Sequence, residues 1–122
     1  MQHHIGTDII EIARIRRAIE RYGERFLNRV YTEDELRLYG RRAHSLAASF
    51  ASKEAVMKVL GTGARGVAWR EIETLYHPSG KPLVRLNGRA KIVAEKMGLK
   101  EIDVSLSHSK EYATAVAIGV VG

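Results

Sequence analysis

Apolar residues recur at helical intervals in the first half of the chain and alternate with polar ones near its end, so the hydrophobic period itself divides the sequence. Residues 2 to 7 read as a short strand, and from Glu11 onward Ile12, Ile15, Ile19, Tyr22 and Phe26 recur at steps of three and four, the mark of an amphipathic helix broken at Gly23. Thr32 with Glu35 makes a capping-box pattern that opens a second, shorter helix towards Tyr39. A third runs from about Ser45 to Leu60 and is ended by Gly61-Thr62-Gly63. The period then changes: Ile72 and Leu75 lie in a strand-like run, His77-Pro78-Ser79-Gly80 is a turn, and Pro82 to Leu86 reads as the returning strand. Asn87 to Met97 is helical and stopped by Gly98, Ile102, Val104 and Leu106 alternate with polar residues in a half-buried strand, and Ala113 to Val121 is the last strand. Helices clustered early and strands clustered late predict an α+β domain with helices packed on a mainly antiparallel sheet.

Composition narrows the class. At 122 residues, the chain fits a single domain spanning 1–122, because a chain this short closes one hydrophobic core. The apolar fraction of 45% and charged fraction of 28% are those of a globular protein, with no low-complexity tract. Cysteine is absent, which removes disulfides, thiolate nucleophiles and cysteine-based metal sites, and fits a reducing cytosol. No apolar run is long enough to span a membrane, and the N-terminal segment lacks the pattern of a signal peptide, so a cytoplasmic location away from membranes is expected. Twenty Lys and Arg against fourteen Asp and Glu leave a net charge of +6, which points to an anionic partner or substrate. A nucleic-acid-binding module would explain that charge, but only 7% of residues are aromatic and no basic strand interleaves with aromatics, so nucleic acid is not the expected partner.

Several residues could carry chemistry. Asp8 stands where an apolar strand gives way to a helix; with Glu11 three residues on it mimics a capping box, and a cap and a functional carboxylate are both open to it. Phe50, Glu54 and Lys58 fall at i, i+4 and i+8 on one helix face, where Glu54 and Lys58 could be a surface ion pair or part of a site. Ala47, Ala48, Ala51 and Ala55 permit close approach of another element to that helix. Gly61-Thr62-Gly63 could turn backbone N–H groups towards a phosphate, but the loop follows a helix instead of preceding one, and its default reading is a C-cap. His108 lies among Ser105, Ser107, Ser109 and Lys110, able to meet phosphate or ribose oxygens, while His3, His4, His44 and His77 lack metal-ligand spacing and read as structural or exposed. Arg14, Arg17, Arg21 and Arg25 form a basic ridge opposite the isoleucine stripe, with Arg29 one turn beyond, suited to an acidic helix or to phosphates.

Three segments in this order, G-T-D at Gly6 to Asp8, F-A-S-K-E-A-V-M-K-V-L-G-T-G at Phe50 to Gly63 and V-S-L-S-H at Val104 to His108, resemble the holo-[acyl-carrier-protein] synthases over almost the whole chain. The turn Gly80-Lys81-Pro82 and the Arg14 helix also match, while Ser52 stands where the family pattern has alanine. The resemblance implies a 4′-phosphopantetheinyl transferase fold and a magnesium-dependent enzyme that moves 4′-phosphopantetheine from coenzyme A to a serine of apo-acyl carrier protein, releasing adenosine 3′,5′-bisphosphate and serving fatty acid biosynthesis. It implies Asp8 and Glu54 as Mg2+ ligands and catalytic groups with Lys58. Lys58, Gly61, Thr62, Gly63, Pro82 and His108 would bind coenzyme A, and Arg14, Arg21 and Arg25 would dock the carrier. It also implies a homotrimer with sites between neighbouring chains. Magnesium is suited by two carboxylates completed with phosphate and water oxygens, and Glu54, directly or through water, is the expected acceptor of the serine proton. Another magnesium-dependent phosphoryl transferase or hydrolase using the same carboxylates is the alternative.

Overall fold

Helix α4, Ala43–Leu60, has so many small side chains that neighbouring elements close on it from nearly every side, and most of its residues are buried. In the computed structural model, which describes residues 2–63 and 65–122, it is preceded by β1 (Gln2–Glu11), α1 (Ile12–Tyr22), α2 (Glu24–Val30) and α3 (Glu33–Tyr39). A 3₁₀ turn at Trp69–Glu71, strands β2 (Ile72–Tyr76) and β3 (Pro82–Leu86), α5 (Gly88–Met97), β4 (Leu99–His108) and β5 (Tyr112–Val121) follow it. The α+β class holds and every strand pairing is antiparallel, but the strands make two sheets, one of order β1-β5-β4 and the hairpin β2-β3.

The three-stranded sheet lays one face on α4. Alternation puts Gly6 and Ile10 of β1, Ala113, Ala115 and Ala117 of β5 and Val104 of β4 on that buried face. Glycine and alanine there match the alanines of α4, so backbones approach closely. A Cβ built on Gly6 would stand 1.9 Å from the Ala55 carbonyl oxygen and 3.0 Å from Lys58 Cβ. Gly6→Ala therefore forces β1 off the helix, and it is expected to lower stability by about 1–3 kcal/mol, read by thermal denaturation.

The helices end where the pattern requires. Gly23 breaks α1 from α2 at φ 55, the Thr32–Glu35 capping box is formed in both directions, and Gly61 caps α4 at φ 75. The first strand runs four residues beyond its expected end, to Glu11, and Glu11 occupies the position before α1 with no side-chain cap bond. Asp8 is thus inside a strand, paired opposite Ala115, and is not a helix cap; pairing with β5 wins over the local capping pattern.

A fully buried ion pair ties the helical half to the hairpin. Lys53 Nζ meets Glu35 Oε1 at 2.8 Å, both side chains being 0% exposed, and also donates to the carbonyls of Trp69 and Ile72. Glu35 accepts further bonds from the Ser49 hydroxyl and the backbone N–H groups of Thr32 and Thr74. Ser52, the departure from the family pattern, uses its hydroxyl to accept a 2.8 Å bond from Thr74. Among the described residues no buried side-chain polar atom is left without a partner.

Candidate active site

The contact of Gly6 with Ala55 is what brings the acidic residues together. Asp8 lies two residues along the same strand face, and Glu54 precedes Ala55 on the helix. β1 is an edge strand, and Lys58, one turn after Glu54, donates from Nζ to the Thr7 carbonyl at 2.6 Å and lies 3.6 Å from Asp8 Oδ1. The surface pair of Glu54 with Lys58 open to the sequence does not form, since β1 offers Lys58 both a carbonyl and a carboxylate. Asp8, Lys58, Thr7, Ile9, Thr114 and Val116 line a hollow of about 350 Å³.

Burial sets the electrostatics. It raises the Asp8 carboxyl above its ordinary range, against the opposing pull of Lys58 and, more weakly, Arg14. Glu54 is raised too, first by burial and then by the negative charge of Asp8, again opposed by Lys58 and Arg14. Two half-buried carboxylates at a sheet edge, one of them feeling the other's negative charge, suit a hard divalent cation, which supplies the charge they lack. Among the described residues no third carboxylate or imidazole joins them, so water and substrate oxygens would complete the shell.

A second hollow, about 330 Å³, opens beside the first turns of α4, where His44, Ser45, Tyr76, Gly80, Pro82 and His108 meet. Pro82 and His108, far apart in sequence, come together because the β2-β3 hairpin packs beside the end of β4. The rings of His44 and His108 lie 5.0 Å apart. His44, read from the sequence as structural or exposed, therefore belongs to the same cleft; no spacing signal marks it, because only tertiary packing brings it to His108. Ala48 of this hollow and Lys58 of the first are ten residues apart on α4, about 15 Å along its axis. One chain presents the two halves of the expected site separately.

Gly61-Thr62-Gly63 lines neither hollow. Gly61 and Thr62 donate to the Lys58 and Met57 carbonyls, the C-cap arrangement. The arginines are exposed, Arg14, Arg17 and Arg21 on α1 and Arg25 on α2 beyond the break at Gly23, and among the described residues none of the four has an ion-pair partner; Glu24 pairs with Arg41 instead. Arg25 borders a groove of about 850 Å³ with Tyr22, Phe26, Arg29, Phe50 and Trp69, in which Phe50 and Trp69 stack at 4.7 Å. The sequence placed Phe26 in the apolar stripe and left Trp69 unused, so this aromatic groove beside the ridge emerges only from the fold.

The model of the 4′-phosphopantetheinyl transferase superfamily matches residues 4–117, and the chain belongs to that superfamily. It is 50% identical to the holo-[acyl-carrier-protein] synthase of Gloeobacter violaceus, over 98% of this chain and 93% of that one. It is 51% identical to that of Dehalococcoides mccartyi, over 94% and 96%. The crystal structure of the Helicobacter pylori holo-[acyl-carrier-protein] synthase in complex with coenzyme A superposes with a TM-score of 0.87 at 31% identity, covering 95% of this chain and 99% of that one. Within the superfamily, the chain therefore belongs with the holo-[acyl-carrier-protein] synthases.

Proposed function

We infer that this protein transfers 4′-phosphopantetheine from coenzyme A to a serine hydroxyl of apo-acyl carrier protein, releasing adenosine 3′,5′-bisphosphate. The observation that carries the reading is the meeting of Asp8, Glu54 and Lys58 at the strand–helix contact, in a chain about half identical to two proteins that bear that enzyme's name. Asp8 and Glu54 would hold Mg2+, which when bound neutralises diphosphate charge. The serine oxygen attacks the phosphorus nearer pantetheine, the bond from that phosphorus to the bridging oxygen breaks, and the adenosine bisphosphate leaves. Glu54, directly or through a water, takes the serine proton, and such a base is typically worth about 100-fold to 10,000-fold in rate. Lys58 offers its ammonium to the charge gathering on the leaving phosphate. Pro82 and His108 would hold the remainder of coenzyme A.

Incubation with apo-acyl carrier protein, coenzyme A and Mg2+ tests this directly. The carrier gains one phosphopantetheine mass, and a chelator abolishes the gain. An unchanged carrier mass would overturn the reading in favour of another phosphate ester.

The separation of the two hollows supports a site shared between chains. The outer face of the three-stranded sheet exposes Ile5 (64%), Ile9 (62%), Val116 (47%) and Ile118 (39%), an apolar surface suited to self-association as a homotrimer. Sedimentation giving a monomer at micromolar concentration would count against it. No helix among the described residues is long and apolar enough to cross a membrane; a cytoplasmic role in fatty acid biosynthesis is part of the same proposal.

Docking of the acidic carrier falls to the unpaired ridge and the aromatic groove beside it. Arg21→Glu and Arg25→Glu are expected to raise KM for the carrier about tenfold while leaving KM for coenzyme A unchanged, with the defect shrinking as salt rises. Arg14→Glu should add a loss in kcat, because the Arg14 charge also favours ionisation of Asp8 and Glu54. Steady-state kinetics at two salt concentrations separate these effects. A parallel rise in both KM values for Arg21→Glu would refute the docking assignment.

A further inference from the structure

Lys58 has a position that its role towards substrate does not require. Its Nζ is anchored by a 2.6 Å bond to the Thr7 carbonyl, and from there it lies 3.6 Å from Asp8 Oδ1, beyond hydrogen-bond reach but close enough for strong charge attraction. The Lys58 side chain is 52% exposed and the Asp8 side chain 19%, so the ammonium has room to swing while the carboxylate does not. Glu54 has no ion-pair partner within 4 Å among the described residues, and feels Asp8 on one side and Lys58 and Arg14 on the other. Two carboxylates and two cations leave the locus close to neutral. A divalent cation entering alone must displace Lys58 from Asp8 and leaves the locus with two excess positive charges. A diphosphate entering with it removes that excess and gives the ammonium new oxygens.

We propose that Lys58 is the resident counterion of Asp8, keeping the site weak for a divalent cation until a diphosphate draws the ammonium away, so that metal and diphosphate load together. The proposal rests on the metal reading of Asp8 and Glu54 above. It gives Lys58 two successive partners, Asp8 and then phosphate, and makes the metal site a detector of its own substrate.

The test is a Mn2+ titration, by calorimetry or by the free-ion resonance signal, of the parent, Lys58→Met, Lys58→Arg and Asp8→Asn proteins, each with and without coenzyme A. Without coenzyme A, Lys58→Met should bind Mn2+ roughly two- to fivefold more tightly than the parent, the scale of one partly exposed charge pair, and Lys58→Arg should stay weak. With coenzyme A the parent should gain affinity strongly and the advantage of Lys58→Met should vanish or reverse. Equal or weaker binding by Lys58→Met without coenzyme A would overturn the counterion role while leaving the metal reading intact. If coenzyme A elicits no Mn2+ binding that Asp8→Asn removes, both fall together.

Discussion

A Glu54→Gln protein is expected to fold, to melt above the parent at neutral pH, and to lose transfer activity by about a thousandfold or more, and Asp8→Asn should behave alike. The two halves of that expectation have one cause. Burial raises both carboxyl groups above their ordinary values of 3.8 and 4.5, and the charge of Asp8 raises Glu54 further, so folding favours their protonated forms. Their contribution to stability is present below the unfolded-state values and is lost as pH rises through the raised folded-state ones. At neutral pH each ionised carboxylate therefore weighs against the fold, and a neutral amide of the same shape relieves it. The same substitution removes a proposed metal ligand and, at Glu54, the proposed proton acceptor, which sets the scale of the expected rate loss. Melting curves between pH 4 and 8 should show the variant's advantage shrinking towards the acid end, and single-turnover mass shifts of the carrier read the rate. Retained transfer in either variant, or lower stability than the parent at pH 7, would sink the assignment.

The largest effect on folding is expected at the residue before Glu54. Lys53→Met leaves the Glu35 carboxylate fully buried without its cation, and breaking a buried pair in this way costs about 3–5 kcal/mol. For a domain of this size that is a fall in melting temperature of roughly 12–20 °C. Burial pulls Lys53 below the ordinary lysine value while Glu35 holds it up, so the ammonium depends on that partner. The Lys53→Met, Glu35→Gln double variant should lose much less than the sum of the singles, because no net charge is then stranded, although the amide keeps only part of the bonds to Ser49, Thr32 and Thr74. Calorimetry on the four proteins closes the cycle. Additive losses would show that the pair is not coupled.

The lysine and glutamate of the Lys53-Glu54 step thus divide two tasks across one helix. Lys53 points into the interior and fixes α4 against α3 and the hairpin, while Glu54 is half-buried and close enough to Asp8 of β1 to feel its charge. Sequence periodicity locates α4 but does not say which of two adjacent charged residues is interior. Burying a lysine completely is unusual, and only the ring of acceptors from Glu35, Trp69 and Ile72 makes it stable.

Much was legible beforehand because local signals here agree with the fold. The capping box at Thr32, the breaks at Gly23 and Gly61, the hairpin turn before Pro82 and the alternation through Val104 each rest on backbone chemistry within a few residues, and each stands in the structure. The carboxylates and Lys58 were singled out through the order of three motifs. Asp8 shows where local reading stops: its neighbourhood looks like a cap, and only pairing with Ala115 of β5, over a hundred residues away, makes it a strand residue facing α4.

By itself, the sequence determined the α+β class, the helix and strand boundaries to within a few residues, the basic ridge and the family, because these follow from period, capping, charge and motif order along one chain. The tertiary structure alone decided that Lys58 turns to Asp8 and Thr7 instead of Glu54, that Lys53 is interior, that His44 joins His108, and that the two hollows lie apart. Those outcomes depend on which distant backbones can touch. Gly6 against Ala55 is the contact that selects the first of them, since only two elements without bulk between them approach closely enough to bring Lys58 to Asp8 and Thr7.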